Sequence, residues 1–282
     1  MVFYLDHNIY IYSFKDSSIE EAVFKLKDNC IKFVYSYAHM EEIYSAWRNS
    51  QEKYNIEEFL EKISEFTNNY EFVPSIDRGI IGVFEEPICC YRRVRKNPTT
   101  EIIELDGKFY HSVFENCYKQ LLEEDKKYMG ISSEYNYDKI WELNKIKQHI
   151  AEINENMKNV NEFKRMKILG RQISSDLKIE QGIYNKIKDN FIELEYVIEQ
   201  LFKLLNLYGF NADKEYNKVV SGIYDVAHAI CATKSDKLFT TDRRFAKKCE
   251  AVYRYMGVST EVVCCPVEKI SDCLISKSNT DF

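Results

Sequence analysis

Two short apolar runs, each closed by an aspartate, lie near opposite ends of the chain: Val2-Phe3-Tyr4-Leu5 before Asp6, and Lys237–Thr241 before Asp242. Runs of this length without polar alternation suit strands buried on both faces, which occur in parallel sheets covered by helices. Ile31–Tyr35 and Thr260–Cys265 have the same character, the latter stopped by Pro266. Helical patterns separate them: Ser18–Lys27 with a Ser cap, Ala38–Trp47, Tyr216–Thr233 and Arg244–Met256. Strands alternating with helices predict an α/β fold with a mostly parallel, Rossmann-like sheet flanked by helices. One local conflict stands in this reading, because Ile9-Tyr10-Ile11-Tyr12 is strand-like where the connection needs a helix.

From about residue 50 to 215 the composition shifts to Lys, Glu, Asn, Ile and Leu, and helical periodicity takes over. Glu57–Phe66, Lys108–Glu124, Tyr137–Met157, Glu162–Leu169 and Ile179–Tyr208 are the helices expected there. The stretch with Pro74, Pro87, Pro98, Gly79 and Gly82 reads as loop-rich. The resulting organisation is a discontinuous core, 1–48 and 216–282, whose terminal pieces assemble one sheet, interrupted by a large, mainly α-helical insertion or cap over 49–215.

Both aspartates would be delivered to the carboxyl ends of their strands, where open α/β sheets bind ligands. Two further acids fall on the helices that follow or precede these strands. Glu42 lies on the helix after the second strand, on a face shared with Ala38 and Ala46, while the neighbouring apolar stripe of Met40, Ile43, Tyr44 and Trp47 points elsewhere; Glu41 is its rival. Asp225 shares its face with His228, Ala229 and Ala232, and small residues there allow close approach to a strand end. Clustered carboxylates repel unless a cation neutralises them, and hard oxygen donors select Mg²⁺ or Mn²⁺. Such a set suits hydrolysis of a phosphodiester by water activated on the metal, with no nucleophilic side chain.

Nine cysteines, including the adjacent pairs Cys89-Cys90 and Cys264-Cys265, contain no C-x-x-C and do not describe a disulfide framework or a zinc knuckle. No apolar stretch approaches the roughly 20 residues of a membrane span, and no basic segment leads into an apolar one at the start. A cytoplasmic protein without a membrane partner is expected. The net charge of −6 excludes a general polyanion-binding surface. Local clusters, Arg92-Arg93-Val94-Arg95-Lys96 and Arg243-Arg244 with Lys247-Lys248, could still meet phosphates.

Asp6, the Glu42-Ile43 pair, then Asp225, Ala229, Cys231, Ala232 and the segment Leu238-Phe239-Thr240-Thr241-Asp242 with Phe245 beyond it resemble the PIN-like nuclease superfamily. The resemblance covers roughly 1–48 and 216–270. It implies an endonuclease dependent on Mg²⁺ or Mn²⁺, acting on RNA more often than DNA, of a toxin or defence type in some members. Asp6, Glu42, Asp225 and Asp242 would be its metal-binding carboxylates, supported by Thr240 and Asn8. His39 and His228 would stand at the rim of the site, and Arg243 and Arg244 would face the substrate. His7 is expected to point away from Asp6, and Asp236 to begin a turn. The helical block is expected to serve as a clamp, as a homo-oligomer interface or as the seat of an inhibitory partner. Two alternatives belong to other classes: a PIN-like module that binds nucleic acid or protein without cutting, and a haloacid-dehalogenase-like phosphatase. The second needs an acid two residues after Asp6, where this chain has Asn8.

Overall fold

The structure is a computed structural model that describes residues 1–49, 55–96, 102–105, 108–111, 137–159, 173–174, 176–211 and 216–278. In chain order it runs β1 (Val2–Leu5), α1 (His7–Ser13), α2 (Ser17–Asp28), β2 (Lys32–Ser36), α3 (Tyr37–Asn49), α4 (Ile56–Thr67), β3 (Tyr70–Ser75), β4 (Gly79–Phe84) and α5 (Pro87–Lys96). A separate hairpin, β5 (Ile102–Leu105) and β6 (Lys108–His111), precedes α6 (Tyr137–Ile140), α7 (Asn144–Asn159), α8 (Tyr184–Ile187) and α9 (Phe191–Leu207). The chain closes with α10 (Tyr216–Ala232), β7 (Lys237–Thr240), α11 (Arg243–Met256), β8 (Glu261–Cys264) and α12 (Ile270–Ser278).

Six strands form one sheet in the order β4-β3-β2-β1-β7-β8, parallel except for β4. β1 lies inside it because Phe3, Tyr4 and Leu5 are fully buried and can only be covered on both faces. Phe3 meets Phe33 of β2 edge-on at 5.8 Å and Phe239 of β7 at 4.9 Å, so the three central strands share one aromatic layer. From β1 the chain winds outward to β2 and β3 on one side, and later to β7 and β8 on the other. The strand order therefore reverses at the β1/β7 boundary, the kind of crevice in which such sheets bind ligands.

Several expectations are corrected. The sheet is not assembled from the terminal pieces alone: the segment read as loop-rich supplies β3 and β4. Pro74 is tolerated there because β2 pairs with β3 at Glu71 and Phe72, leaving Pro74 opposite Ile80 of β4 only. Gly79 opens β4 at φ +64°, and a Cβ on it would lie 1.7 Å from the Lys188 carbonyl oxygen. Only glycine permits that approach. Lys108–His111 is a strand, not the start of a helix; the remainder of that expected helix, and Glu162–Leu169, lie outside the described residues. The expected helix over 137–157 is broken where Trp141 donates its indole N–H to the Ala251 carbonyl (2.9 Å) and packs on Tyr255. That over 179–208 is divided at Asn190, whose side chain caps α9 by accepting from the N–H groups of Ile192 and Glu193. The cap of α2 is Asp16, accepting from Ser18 N, rather than a serine. Ile9–Tyr12 is helical, with Ile9 and Tyr10 in the core: tertiary packing overrides its strand propensity.

Candidate metal centre

Asp6 follows β1 at the strand reversal, and its N–H continues the ladder by donating to Phe239 O at 2.8 Å. It stands at the N-terminus of α1, yet its side chain makes no capping bond there. Thr240, the last residue of β7, instead donates its hydroxyl to Asp6 Oδ2 at 2.7 Å while accepting from the N–H of Asp242 at 3.0 Å. That orientation ties the two strand ends together. The Asn8 amide approaches the same Asp6 oxygen at 3.5 Å.

Glu42, brought in by α3, and His228, brought in by α10, complete a group with Asp6 in which one donor atom from each lies within 4.8 Å of the others. His228 Nε2 is 3.5 Å from Glu42 Oε2. On a six-coordinate ion with bonds of about 2.1 Å, neighbouring donors lie about 3 Å apart and opposite ones about 4.2 Å, so the group fits a divalent cation with little adjustment. The Glu42 side chain is 21 % exposed, which leaves a way in for an ion that Asp6 and His228, nearly sealed, do not provide.

Burial raises the Asp6 carboxyl to about 6, against the pull of His228 and with a further push from Glu42. Burial lifts Glu42 to about 8. Asp225 is also raised to about 8 by burial; Lys248 opposes this, while Asp6, Glu42 and Asp242 add to it. The charge of each acid is thus felt by Asp225, although Asp225 stands outside the 4.8 Å group. Burial holds His7 near 3 and His228 near 4, so both imidazoles are neutral at pH 7. A site that holds carboxylates against their ionisation is one that a cation would discharge.

Of the expected carboxylates, the structure brings Asp6 and Glu42 together and places Asp225 beside the buried Lys248, 3.6 Å from Oδ2 to Nζ. Asp242 is exposed and caps α11, its Oδ1 accepting from the N–H groups of Arg244 (2.7 Å) and Phe245 (3.0 Å). Glu42, not Glu41, belongs to the group; Glu41 exerts its charge on Tyr37 and Cys231 instead. Arg243 and Arg244 are exposed at the start of α11.

His39 does not stand at the rim: it is fully buried, Nε2 donating to Leu5 O (2.8 Å) and Nδ1 accepting from Ser36 N (3.1 Å). His7 does not point away, because the strand ends at Leu5 and the helical turn carries its Nδ1 to 3.7 Å from Glu42 Oε2. Asp236 sits at the opposite, amino edge of the sheet, accepting from Val2 N at 2.6 Å.

Lys248, expected with Lys247 in a basic cluster that could meet phosphates, is instead buried against Asp225. Its signal was there: Phe245, Lys248, Cys249, Val252 and Met256 form one helical stripe, and all are buried. A lysine on an otherwise apolar stripe demands a partner, which is Asp225. A second acidic group, Glu71, Glu85 and Cys90, could in outline hold a metal. Arg93 fills that role, its Nη2 donating to Glu71 at 2.9 Å and Glu85 at 2.8 Å. The basic cluster on α5 is in that part structural.

No family model, curated protein or solved structure matches this chain.

Proposed function

We propose that this chain is a divalent-metal-dependent nuclease of the PIN-like type, hydrolysing phosphodiester bonds with RNA as the favoured substrate. One observation carries the reading: Asp6 and Glu42, from elements separated in sequence, meet at the reversal point of a parallel sheet within charge range of Asp225. The preference for RNA rests on the PIN-like resemblance alone.

Asp6 and Glu42 would hold a Mg²⁺ or Mn²⁺ ion. When bound, the ion supplies Lewis acidity to the phosphate and acidifies water at neutral pH. Thr240 fixes Asp6 through Oδ2. Asp225, held beside Lys248, would take up a proton from the attacking water. Arg243 and Arg244 lie beside Asp242 in solvent, where they can meet the flanking phosphates of a strand crossing the carboxyl edge.

Asn8 stands where a haloacid-dehalogenase-like phosphatase needs a second acid, and its amide only donates toward Asp6. The test is incubation of the full chain with single-stranded and structured RNA and DNA under Mn²⁺, beside Asp6→Ala. Metal-dependent cleavage by the parent and not by the variant is expected. Equal cleavage by both would dismiss the reading, and binding without cleavage would turn it to the non-catalytic module.

A further inference from the structure

His228 has no place in an all-carboxylate site, yet its ring is set up as a ligand's would be. It is 1 % exposed, and its Nε2, aimed at Glu42 Oε2 from 3.5 Å, has no hydrogen-bond partner among the described residues. A buried, unpaired ring nitrogen costs free energy that some other contact must return. The other nitrogen, Nδ1, is held at 2.7 Å by the Tyr4 hydroxyl. Tyr4 is itself held at 2.6 Å by Ser36 Oγ, which lies 3.4 Å from His39 Nδ1.

The far end of this series sets a direction. The Leu5 carbonyl can only accept, so the His39 proton is on Nε2 and its Nδ1 is an acceptor. Ser36 Oγ, at 3.4 Å, can share that acceptor with the Ser36 N–H at 3.1 Å; with its proton turned that way, Tyr4 can give its proton to Ser36 and His228 Nδ1 its proton to Tyr4. Run this way, the series leaves the lone pair of His228 on Nε2, facing Asp6 and Glu42. Metal-bound histidines nearly always have their second nitrogen anchored in this manner, which fixes both tautomer and ring plane.

We propose that His228 Nε2 is a ligand of the cation site, so that Asp6, Glu42 and His228 form a mixed oxygen and nitrogen set that favours a first-row transition ion over Mg²⁺. This rests on the metal-dependent reading above and adds to it the identity of the ion. Imidazole nitrogen is a poor donor for Mg²⁺, which prefers oxygen and retained water, and a good one for the transition series. His7 is the competing imidazole, with Nδ1 at 3.7 Å from Glu42 Oε2. Its ring is stacked on Phe59 at 5.0 Å, and it lies outside the 4.8 Å group.

Mn²⁺ is the probe. The full chain, grown with ¹⁵N-histidine, is titrated with Mn²⁺ by electron paramagnetic resonance, and pulsed spectra of the bound ion are searched for a directly coordinated nitrogen. The expected result is one coupled ¹⁵N in the parent and in His7→Gln, absent in His228→Gln. Mn²⁺ affinity in His228→Gln should fall at least about tenfold, and its margin over Mg²⁺ in competition should shrink by a similar factor. Bound Mn²⁺ without nitrogen coupling in the parent, or coupling lost only in His7→Gln, overturns the assignment of His228 and leaves the metal-dependent reading standing. No binding by the parent above the level of Asp6→Asn overturns both. The parent spectrum needs no variant to fold, so the assignment stays open to refutation if His228→Gln is unstable.

Discussion

Thr240 gives its hydroxyl proton to Asp6 Oδ2 at 2.7 Å, and this one contact joins residues 234 positions apart in the chain. Removing the hydroxyl while keeping the shape, as in Thr240→Val, leaves Asp6 without its buried donor. We expect a stability loss of about 1–2 kcal/mol in urea denaturation. Mn²⁺ affinity should fall by about tenfold or more, with Thr240→Ser close to the parent. A Thr240→Val chain that binds Mn²⁺ as the parent does would show that Asp6 needs no such anchor.

The pH dependence of the metal-free chain has a defined sign. His7 and His228 are depressed to about 3 and 4, so they are neutral when folded, and the unfolded imidazoles, half protonated near pH 6.5, oppose the trend set by Glu42 and Asp225 only until they lose those protons by about pH 7.5. Glu42 and Asp225, raised to about 8, still hold protons when folded that the unfolded chain has released. Their contribution is complete below the unfolded carboxylate range near 4 and is lost as pH rises through about 8. Unfolding free energy measured with a chelator present should therefore fall between pH 6.5 and 8.5, and less steeply in Glu42→Gln. Saturating Mn²⁺, which binds the ionised forms, should reverse the slope. A flat profile in the metal-free parent would contradict these ionisation shifts.

These acids also show how far the sequence could be read. β1 and β7 were legible because a four-residue run with no polar alternation has few other uses, and Asp6 followed from the end of that run. Glu42 was separable from Glu41 because helical spacing assigns the two to different faces. The meeting of Asp6, Glu42 and His228 was not legible, since it depends on how α3 and α10 pack against the carboxyl edge, which no local pattern encodes. β3 and β4 escaped because Pro74, Gly79 and Gly82 are loop residues by propensity, and only the pairing with β2 and the close approach of Lys188 make sense of them. Asp242 has a local use that its place after a strand also allows: its Oδ1 caps the next helix.

Lys248 is the main force opposing the upward shift of Asp225. In Lys248→Met the Asp225 carboxyl should hold its proton to higher pH, so the acidic limb of the proposed cleavage activity should move upward. The stability cost at pH 7 should stay below the roughly 3–5 kcal/mol of a stranded buried charge, because Asp225 can take up a proton. A rate profile over pH 6–10 checks the first expectation and chemical denaturation the second. An acidic limb that stays in place would remove Asp225 from the chemistry.

Arg93 is expected to matter for folding rather than for nucleic acid. It neutralises Glu71, which is fully buried and raised by that burial to about 7 even with Arg93 beside it. Arg93→Ala should cost about 1–2 kcal/mol in denaturation, less than a stranded buried charge because Arg93 is 44 % exposed and Glu71 can take up a proton, with part of the loss recovered in the Arg93→Ala, Glu71→Gln double variant. Exposed Arg92→Ala should change stability by no more than about 0.5 kcal/mol. Similar losses from both would mean that the Glu71 pairing contributes little.

The central strand β1 finds β2 close by in the sequence, but its other neighbour, β7, follows far later in the chain. Without β7, one side of β1 has no partner. A chain truncated before β7 would lack both the strand that covers this side of β1 and the hydroxyl that fixes Asp6.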